Sequence, residues 1–268
     1  MFIVKRMQVK STFNLNIKYS IVTIFLFLIL FIFTSTAVAA PIQERIQQFP
    51  QWQSKPPVKR ARGDLEYPEW MVGTWNVEST LIEKIAPLAP DIVSPGFEDN
   101  DNYIDKAIAF QVRFGIDDSP PRFSIFNSKQ PAVVADRAFN GENIALAYLG
   151  DDNVYGVKVD PDNPNQQITF LRGDRKLISK ITGRAKEMPS DREFITTEVT
   201  QQLFRSPERL YLNEVETTSD YHLLDSEISA EQITAIYLSP QDPDYFSAGD
   251  RPVALYRYHL DLTKPTKN

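Results

Sequence analysis

From Trp75 onward, the polarity of the chain alternates with a period of two residues. Trp75, Val77 and Leu81 fall on one side of an extended segment, and the residues at the even positions between them are polar. The stretch 108–116 repeats the pattern, with Ile, Phe or Val at every second position. Successive side chains of a β-strand point to opposite faces, so this period is typical of antiparallel strands with one buried face.

Seven later segments are rich in β-branched and aromatic residues, and clusters of turn-forming residues separate them. They are 154–159, 167–171, 177–182, 194–204, 210–222, 233–238 and 253–262. Together with the first two strands they indicate an antiparallel meander, which avoids exposed edges by closing into a barrel. We therefore predict one all-β domain over 67–264, a single antiparallel β-barrel.

The stretch 132–150 interrupts the strand pattern. It is rich in alanine, has apolar residues four positions apart and ends at Gly150, which favours a short helical segment divided at Asn140-Gly141. Asn-Gly is also a favoured two-residue hairpin turn. The sequence leaves both a helix and a hairpin open here.

Residues 1–39 have the features of an export signal in their usual order. Lysine and arginine without an acid precede an apolar run over 21–33, and small residues follow, with Ala37 and Ala39 two positions apart. We predict a signal helix that is cleaved after Ala39 and meets the membrane only during export. The alternative is an uncleaved helix that anchors the protein, although the apolar run is shorter than the ~20 residues of a typical span.

The stretch 40–66 is predicted to be a Pro-rich flexible tether. Four prolines interrupt it, and its apolar residues are sparse. Residues 42–49 are compatible with a short helix, but we expect the ordered domain to begin near Tyr67.

The composition limits the classes of function. The formal net charge of −6 argues against nucleic acid and anionic lipid as partners. Cysteine is absent, which excludes disulfides, cysteine nucleophiles and cysteine-ligated metals. The sequence has no Gly-x-Ser-x-Gly, His-Glu-x-x-His or glycine-rich phosphate motif. We therefore predict a protein that is not an enzyme and has no catalytic residue.

The tripeptide Gly73-Thr74-Trp75 at the head of the first strand resembles the Gly-x-Trp start of lipocalins and other calycins. The resemblance implies a lipocalin-like barrel, in which Trp75 plugs the closed end and an arginine of the last strand covers it. Arg257 is the candidate arginine, and Arg251 is the alternative. The apolar alternation of Tyr256 and Tyr258 points Arg257 to the opposite face.

A second resemblance covers most of the chain after residue 39. Four segments carry it: Pro-Glu-Trp-Met-Val-Gly-Thr-Trp at 68–75, Ala-Asp-Arg-Ala-Phe-Asn-Gly at 135–141, Ala-Tyr-Leu-Gly at 147–150 and Phe-Arg-Ser-Pro at 204–207. They are similar to an uncharacterised family of cyanobacterial and plastid proteins. The resemblance implies residence in a periplasm or thylakoid lumen, and it implies no particular activity.

The candidate ligand site combines a lid with the barrel lumen. The loop after the first strand of a lipocalin-like barrel lies over its open mouth, and here the stretch 85–106 is long and Pro-rich. We predict that Phe97 and Tyr103 cap a cavity. The other predicted ligand-binding residues are Phe110, Val112, Phe114, Val199, Tyr256 and Tyr258.

Several polar groups are weaker candidates. The acidic run 98–102 and Asp105 offer oxygen ligands but lack the pattern of a calcium loop, so a solvated loop is favoured and no metal site is predicted. Glu214 and Glu216 share one face of a strand. They would form a carboxylate pair with shifted pKa values if inward, and a solvated surface, which we favour, if outward. His222, beside Asp220 at a strand end, is the better candidate of the two histidines for a functional imidazole, but we favour a surface or core-edge residue.

The leading functional prediction is an exported, non-enzymatic binding protein for a lipophilic small molecule such as a pigment, quinone or lipid. That molecule is the only cofactor-like group expected. The alternative is an assembly or accessory factor of a photosynthetic or other membrane complex, which acts through the outer surface of the barrel.

Overall fold

The computed structural model describes residues 42–117 and 131–266 of the 268-residue chain. The predicted signal segment 1–39 lies outside these residues. Within the described ranges, no helix has the length and apolar character needed to cross a membrane.

Eleven strands and three helices form the described part of the chain. The helices are α1 (Ile42–Gln47), α2 (Arg137–Leu149) and α3 (Tyr245–Ala248), and short 3₁₀ turns cover Glu69–Met71, Glu98–Tyr103 and Asp151–Asn153. The strands are β1 (Lys59–Arg60), β2 (Gly73–Ile85), β3 (Ala107–Asp117), β4 (Ala132–Ala135), β5 (Val154–Asp160), β6 (Asn163–Leu171), β7 (Arg175–Ser190), β8 (Glu193–Arg205), β9 (Leu210–Leu223), β10 (Ile228–Leu238) and β11 (Ala254–Thr263).

The strands form one curled antiparallel sheet. Its order is β4-β3-β2-β11-β10-β9-β8-β7-β6-β5, with β1 paired to β7 outside this path. The first long strand, β2, pairs with the last strand, β11, so these two strands lie side by side within the sheet. The predicted all-β, barrel-like fold is therefore confirmed.

Helix α2 lies where the two ends of the sheet would otherwise meet. Among the described strands, β4 and β5 are the unpaired ends, and α2 connects them while packing on β3, β5 and β6. Asp136 caps its first turn by accepting a hydrogen bond from the Phe139 N–H, and Gly150 ends it with φ +81°. The helix continues through Asn140-Gly141, so this dipeptide forms neither the expected break nor a hairpin turn.

The residues of the 135–141 segment explain why the helix sits on this seam. The Asn140 side chain accepts a hydrogen bond from the Arg113 N–H (2.6 Å) and donates one to the Arg113 carbonyl (3.2 Å), so it pairs with β3 as a strand would. On the other side, a Cβ at Gly141 would lie 3.2 Å from both Gln167 and Val157. These contacts would be tighter than ordinary van der Waals contact, so glycine suits the close approach of the helix to β5 and β6.

The N-terminal strap, residues 42–66, differs from the prediction of a flexible tether. Ile42, Trp52 and Leu65 are buried. Helix α1 contacts β7, β8 and β9. Apolar side chains of the strap cover Ile233 and other outward residues of β10 and β11. Strand β1 then pairs with β7, and the strap continues to the closed end of the barrel, where Leu65 joins the core. The strap has few apolar residues, but these are concentrated where it contacts the sheet, and they are enough to hold it there.

Candidate ligand-binding cup

The inward face of the sheet changes character from one end to the other. Around Trp75 it is apolar and closed, and the register places Trp75 opposite Val112. Twelve buried residues form this core: Leu65, Met71, Trp75, Val77, Val112, Phe114, Val133, Phe194, Ile228, Ala230, Leu260 and Leu262. This end provides a packed floor.

At the other end, several inward residues of β7 to β10 are polar and only part-buried, and they lie among apolar residues such as Ile181, Val215 and Ile236. We call this wall, formed by Ser179, Thr200, Gln202, Asn213, Thr217 and Thr234, the cup. The register connects these residues strand by strand, with Thr234 opposite Thr217 and Asn213 opposite Gln202. They share a face with the buried core yet reach solvent, so the interior here is not filled as the floor is.

The Asn213 side chain in the cup has an unsatisfied acceptor. Its Oδ1 atom is buried and has no hydrogen-bond partner among the described residues. A buried carbonyl oxygen without a donor costs about 1–3 kcal/mol. A bound group that donates a hydrogen bond would remove this cost.

The predicted lid packs on the mouth of the cup, beside β2 and β11. The Phe97 ring contacts Tyr256, with 5.8 Å between centroids, and both belong to a cluster with Leu81. Lys84 fastens the loop, because its Nζ donates to the Phe97 carbonyl (2.7 Å) and pairs with Asp101 at 2.7 Å. Part of the acidic run thus neutralises a lysine.

The second lid residue, Tyr103, lines a cavity of about 20 Å³ together with Tyr148, Tyr258 and Ile108. A volume of this size holds about one water molecule. Burial raises the pKa of both Tyr148 and Tyr258, so their hydroxyl groups stay protonated well into the alkaline range. The lid residue Tyr103 therefore lies over a small space lined by tyrosines.

The remaining predicted lumen residues divide into two groups. Val112 and Phe114 belong to the floor, and Phe110 packs partly on the floor and partly against Tyr148, at 6.4 Å. The prediction for Val199 is wrong. Val199 pairs with Glu216 on the outward face and is buried there, so its apolar character reflects the covering strap and not the lumen.

Trp75 is buried in the floor, and a lysine covers it instead of the expected arginine. The indole Nε1 donates to the Met71 carbonyl (2.7 Å), and the Lys264 Nζ lies 3.5 Å from the ring centroid and donates to the Val72 carbonyl. Gly73 has φ +113°, and a Cβ there would lie 2.8 Å from the Lys264 Nζ. The positive φ favours glycine here, and the absence of a Cβ also leaves room for the covering lysine.

The assignment of Arg257 to this role is wrong. Arg257 lies on the outward face, where it pairs with Glu231 at 2.6 Å and lies over the Phe49 ring. The parity of Leu260 and Leu262 continues to position 264, so the alternation of the last strand could have identified Lys264.

A cluster of charged groups lies beside the floor and joins α2 to the strap. Arg137 pairs with Asp64 at 2.7 Å and Glu198 at 3.2 Å, and Glu198 also pairs with Arg184 at 2.6 Å. The two carboxylates raise the pKa of Arg137 against the opposing effect of burial. Burial, followed by the negative charge of Glu198, raises the pKa of the Tyr67 hydroxyl.

A cleft of about 470 Å³ opens next to this cluster, between the strap and β7. Its cationic lining residues are Lys59, Arg60, Arg62, Arg184 and Lys186. Only Asp64 and Glu66 oppose them within the lining. The cleft is therefore a positive region on a chain of net charge −6.

A second polar network lies under the strap on the outward face. Glu216 has no exposed surface and accepts two hydrogen bonds from Arg45, at 2.6 and 2.7 Å. Tyr237 and Thr218 also donate to Glu216, at 2.6 and 2.9 Å. The Arg45 guanidinium stacks 3.9 Å from the centroid of Trp52. The expected solvated face is thus wrong for Glu216, because the strap covers it.

These features define an all-β protein with a curled antiparallel sheet, a tryptophan-plugged floor and a polar cup at the opposite end. The chain belongs to the family described as Domain of unknown function (DUF6816), whose model matches residues 59–266. The match includes all eleven strands and begins within the strap. Neither the curated proteins nor the solved structures gave a match to this chain.

Proposed function

We propose that the protein is a non-enzymatic binding protein whose cup holds a lipophilic small molecule with at least one polar group. The observation that carries this proposal is the cup itself. Its inward residues share a face with the packed floor but remain part-exposed. Binding sites for small molecules are concave and combine apolar walls with a few placed polar groups.

The two sides of the cup match the two parts of such a ligand. Tyr256, Tyr258 and Phe97 offer aromatic surface on the β2–β11 side. Thr217 and the unsatisfied Asn213 amide offer hydrogen bonds on the β8–β9 side. A quinone, pigment or lipid has this combination of an apolar body and a polar group.

The proposal also includes the compartment in which the protein acts and the kind of organism that makes it. The signal-like segment 1–39 and the resemblance of 68–75 and 135–141 support export to a periplasm or thylakoid lumen, with membrane anchoring by an uncleaved helix as the alternative. A protein so placed has access to lipophilic molecules that leave a membrane.

The test uses a matched pair of substitutions on β8. Thr200→Phe places a ring inside the cup, whereas Gln201→Phe places the same ring on the exposed outward face. With 1-anilinonaphthalene-8-sulfonate as a fluorescent probe of lipophilic sites, we expect Thr200→Phe to weaken binding at least about tenfold, equivalent to about 1.4 kcal/mol. Gln201→Phe should bind as the wild type does. Equal binding by both variants, or no binding by the wild type, would overturn the proposal.

The second candidate, an accessory factor for a membrane complex, is favoured by the cationic cleft. Lys59, Arg60 and Arg62 are exposed there, which suits a partner with an acidic segment. Native mass spectrometry of protein purified from its own host separates the two functions. A bound small molecule lost in Thr200→Phe supports the cup, and a bound subunit lost in Arg60→Glu/Arg62→Glu supports the cleft.

A further inference from the structure

Three metal-ligating side chains meet on the outward face at the start of β8 and the end of β9. They are Glu193, Asp220 and His222, and one ligand atom from each lies within 4.8 Å of the others. The register places Glu193 directly opposite His222, and Asp220 lies two residues before His222 on the same face. The His222 Nε2 is 3.1 Å from the Asp220 Oδ2.

One atom of this group is unsatisfied. The Asp220 Oδ1 is buried and has no hydrogen-bond partner in the part of the chain that the structure describes. A carboxylate oxygen normally accepts hydrogen bonds when buried, so an orphan of this kind calls for an ion or another missing partner.

The charges around Asp220 point to a cation. On the neighbouring strand, Glu231 lies opposite Asp220, and like charges placed this way repel. Arg257 neutralises Glu231 at 2.6 Å. Glu193 receives only a neutral hydrogen bond, from the Gln43 amide at 3.3 Å. Glu193 thus lies opposite His222 and diagonal to Asp220, without a cationic side chain paired to either carboxylate other than His222 within the described residues.

We propose that Glu193, Asp220 and His222 bind a divalent transition-metal ion, with Zn²⁺ as the reference. An imidazole nitrogen with two carboxylate oxygens suits such ions, whereas Mg²⁺ and Ca²⁺ prefer oxygen ligands alone. Three protein ligands leave a coordination position for water or for a ligand from outside. The His222 side chain is 49% exposed, so the ion can reach the site from solvent.

The chain contains its own control for this site. His259 and Asp261 on β11 are also two residues apart, with the His259 Nε2 3.2 Å from the Asp261 Oδ1. They belong to no group of three ligating residues within the described ranges. His222 and His259 are the two histidines of the chain. A difference in metal binding between the two histidines would therefore show the contribution of Glu193, which is present only beside His222.

The experiment titrates the untagged full-length protein with Zn²⁺ by calorimetry and with Co²⁺ by visible absorption. We expect one ion per chain, with binding weakened at least about tenfold in His222→Gln and in Asp220→Asn. The control His259→Gln should bind within about twofold of the wild type, a difference of less than about 0.5 kcal/mol.

Imidazole NMR signals provide a readout that does not depend on affinity. On adding Zn²⁺, the His222 ring signals should shift or broaden while those of His259 stay in place. Absence of binding by the wild type, unchanged binding by His222→Gln, or an equal loss in His259→Gln would overturn the proposal. Circular dichroism confirms that each variant is folded before it is titrated.

Discussion

The floor around Trp75 and the outward face around Glu216 are both buried, but they are buried by different means. Trp75 is 2% exposed because the sheet curls around it and brings β2, β3 and β11 together. Glu216 is 0% exposed because a strap residue, Arg45, 171 residues away in sequence, lies over it. The floor is apolar with one lysine at its rim, whereas the strap covers a hydrogen-bonded ion pair.

This difference teaches that the two regions contribute separately to stability. Most floor residues lie on strands of the sheet, and the strap contributes Leu65. The strap is held by a six-residue helix, the two-residue strand β1 and the Arg45–Glu216 pair. Segments with few contacts open in local unfolding events below the global free energy. We therefore expect the part of the strap around Arg45 to open while the floor, including Leu65, stays closed.

The largest effect is expected from Arg45→Ala. Removing one partner leaves Glu216 buried without a counter-charge, which costs about 3–5 kcal/mol. Urea denaturation should show this loss, and trypsin should cut the strap at Lys59 or Arg60 before the sheet unfolds. The control is Lys55→Ala, because Lys55 pairs with the part-exposed Glu214 at 3.2 Å. That substitution should cost about 1 kcal/mol or less. Equal losses in the two variants would mean that the strap does not depend on its buried pair.

The floor could be predicted from the sequence and the strap could not, for a physical reason. Alternation identifies a strand when one face is buried and the other is wet, as for Trp75 and Val77. On β8, Phe194 is buried on the inward face and Ile195 is buried on the outward face. Because both faces of this strand carry apolar residues, the sequence does not show which face is inward. Glu216 reads as solvated because its partner Arg45 lies in a segment whose composition suggests a tether.

The cup was predicted only in part for a related reason. Phe97, Tyr256 and Tyr258 are aromatic and were identifiable as lid or lumen residues. Thr217 and Asn213 were not, because inward polar residues look the same as outward ones in a sequence. Only the register, which places both on the same face of the sheet as the floor, shows where they point.

A smaller effect separates two tryptophans of the closed end. The Trp75 Nε1 donates to the Met71 carbonyl at 2.7 Å. The buried Trp70 Nε1 has no partner within the described residues. Trp75→Phe should therefore cost about 1–3 kcal/mol through the lost hydrogen bond and the small cavity. Trp70→Phe removes an unsatisfied donor and should stay within about 1 kcal/mol of the wild type. Both values come from urea denaturation, and a larger loss in Trp70→Phe would contradict the role of Trp75 as the plug.

The smallest expected effect is a change in the slope of stability with pH, and it probes both regions at once. Burial raises the pKa of Tyr221 at the floor and of Tyr237 under the strap above the usual 10.0, and for Tyr237 the charge of Glu216 adds to the effect of burial. Above pH 10, the unfolded chain loses these protons while the folded chain keeps them. The folded state then binds more protons, so stability is fully present below pH 10 and falls as the pH rises.

Each such tyrosine lowers the free energy of unfolding by about 1.4 kcal/mol per pH unit between its unfolded and folded pKa values. Tyr221→Phe and Tyr237→Phe should each remove one such contribution from urea denaturation measured between pH 10 and 11. Tyrosinate absorbance distinguishes the regions. In Arg45→Ala the opened strap exposes Tyr237, which should then ionise before the sheet unfolds, whereas Tyr221 should ionise only with the sheet. If both tyrosines ionise together with global unfolding in that variant, the strap and the floor form one cooperative unit.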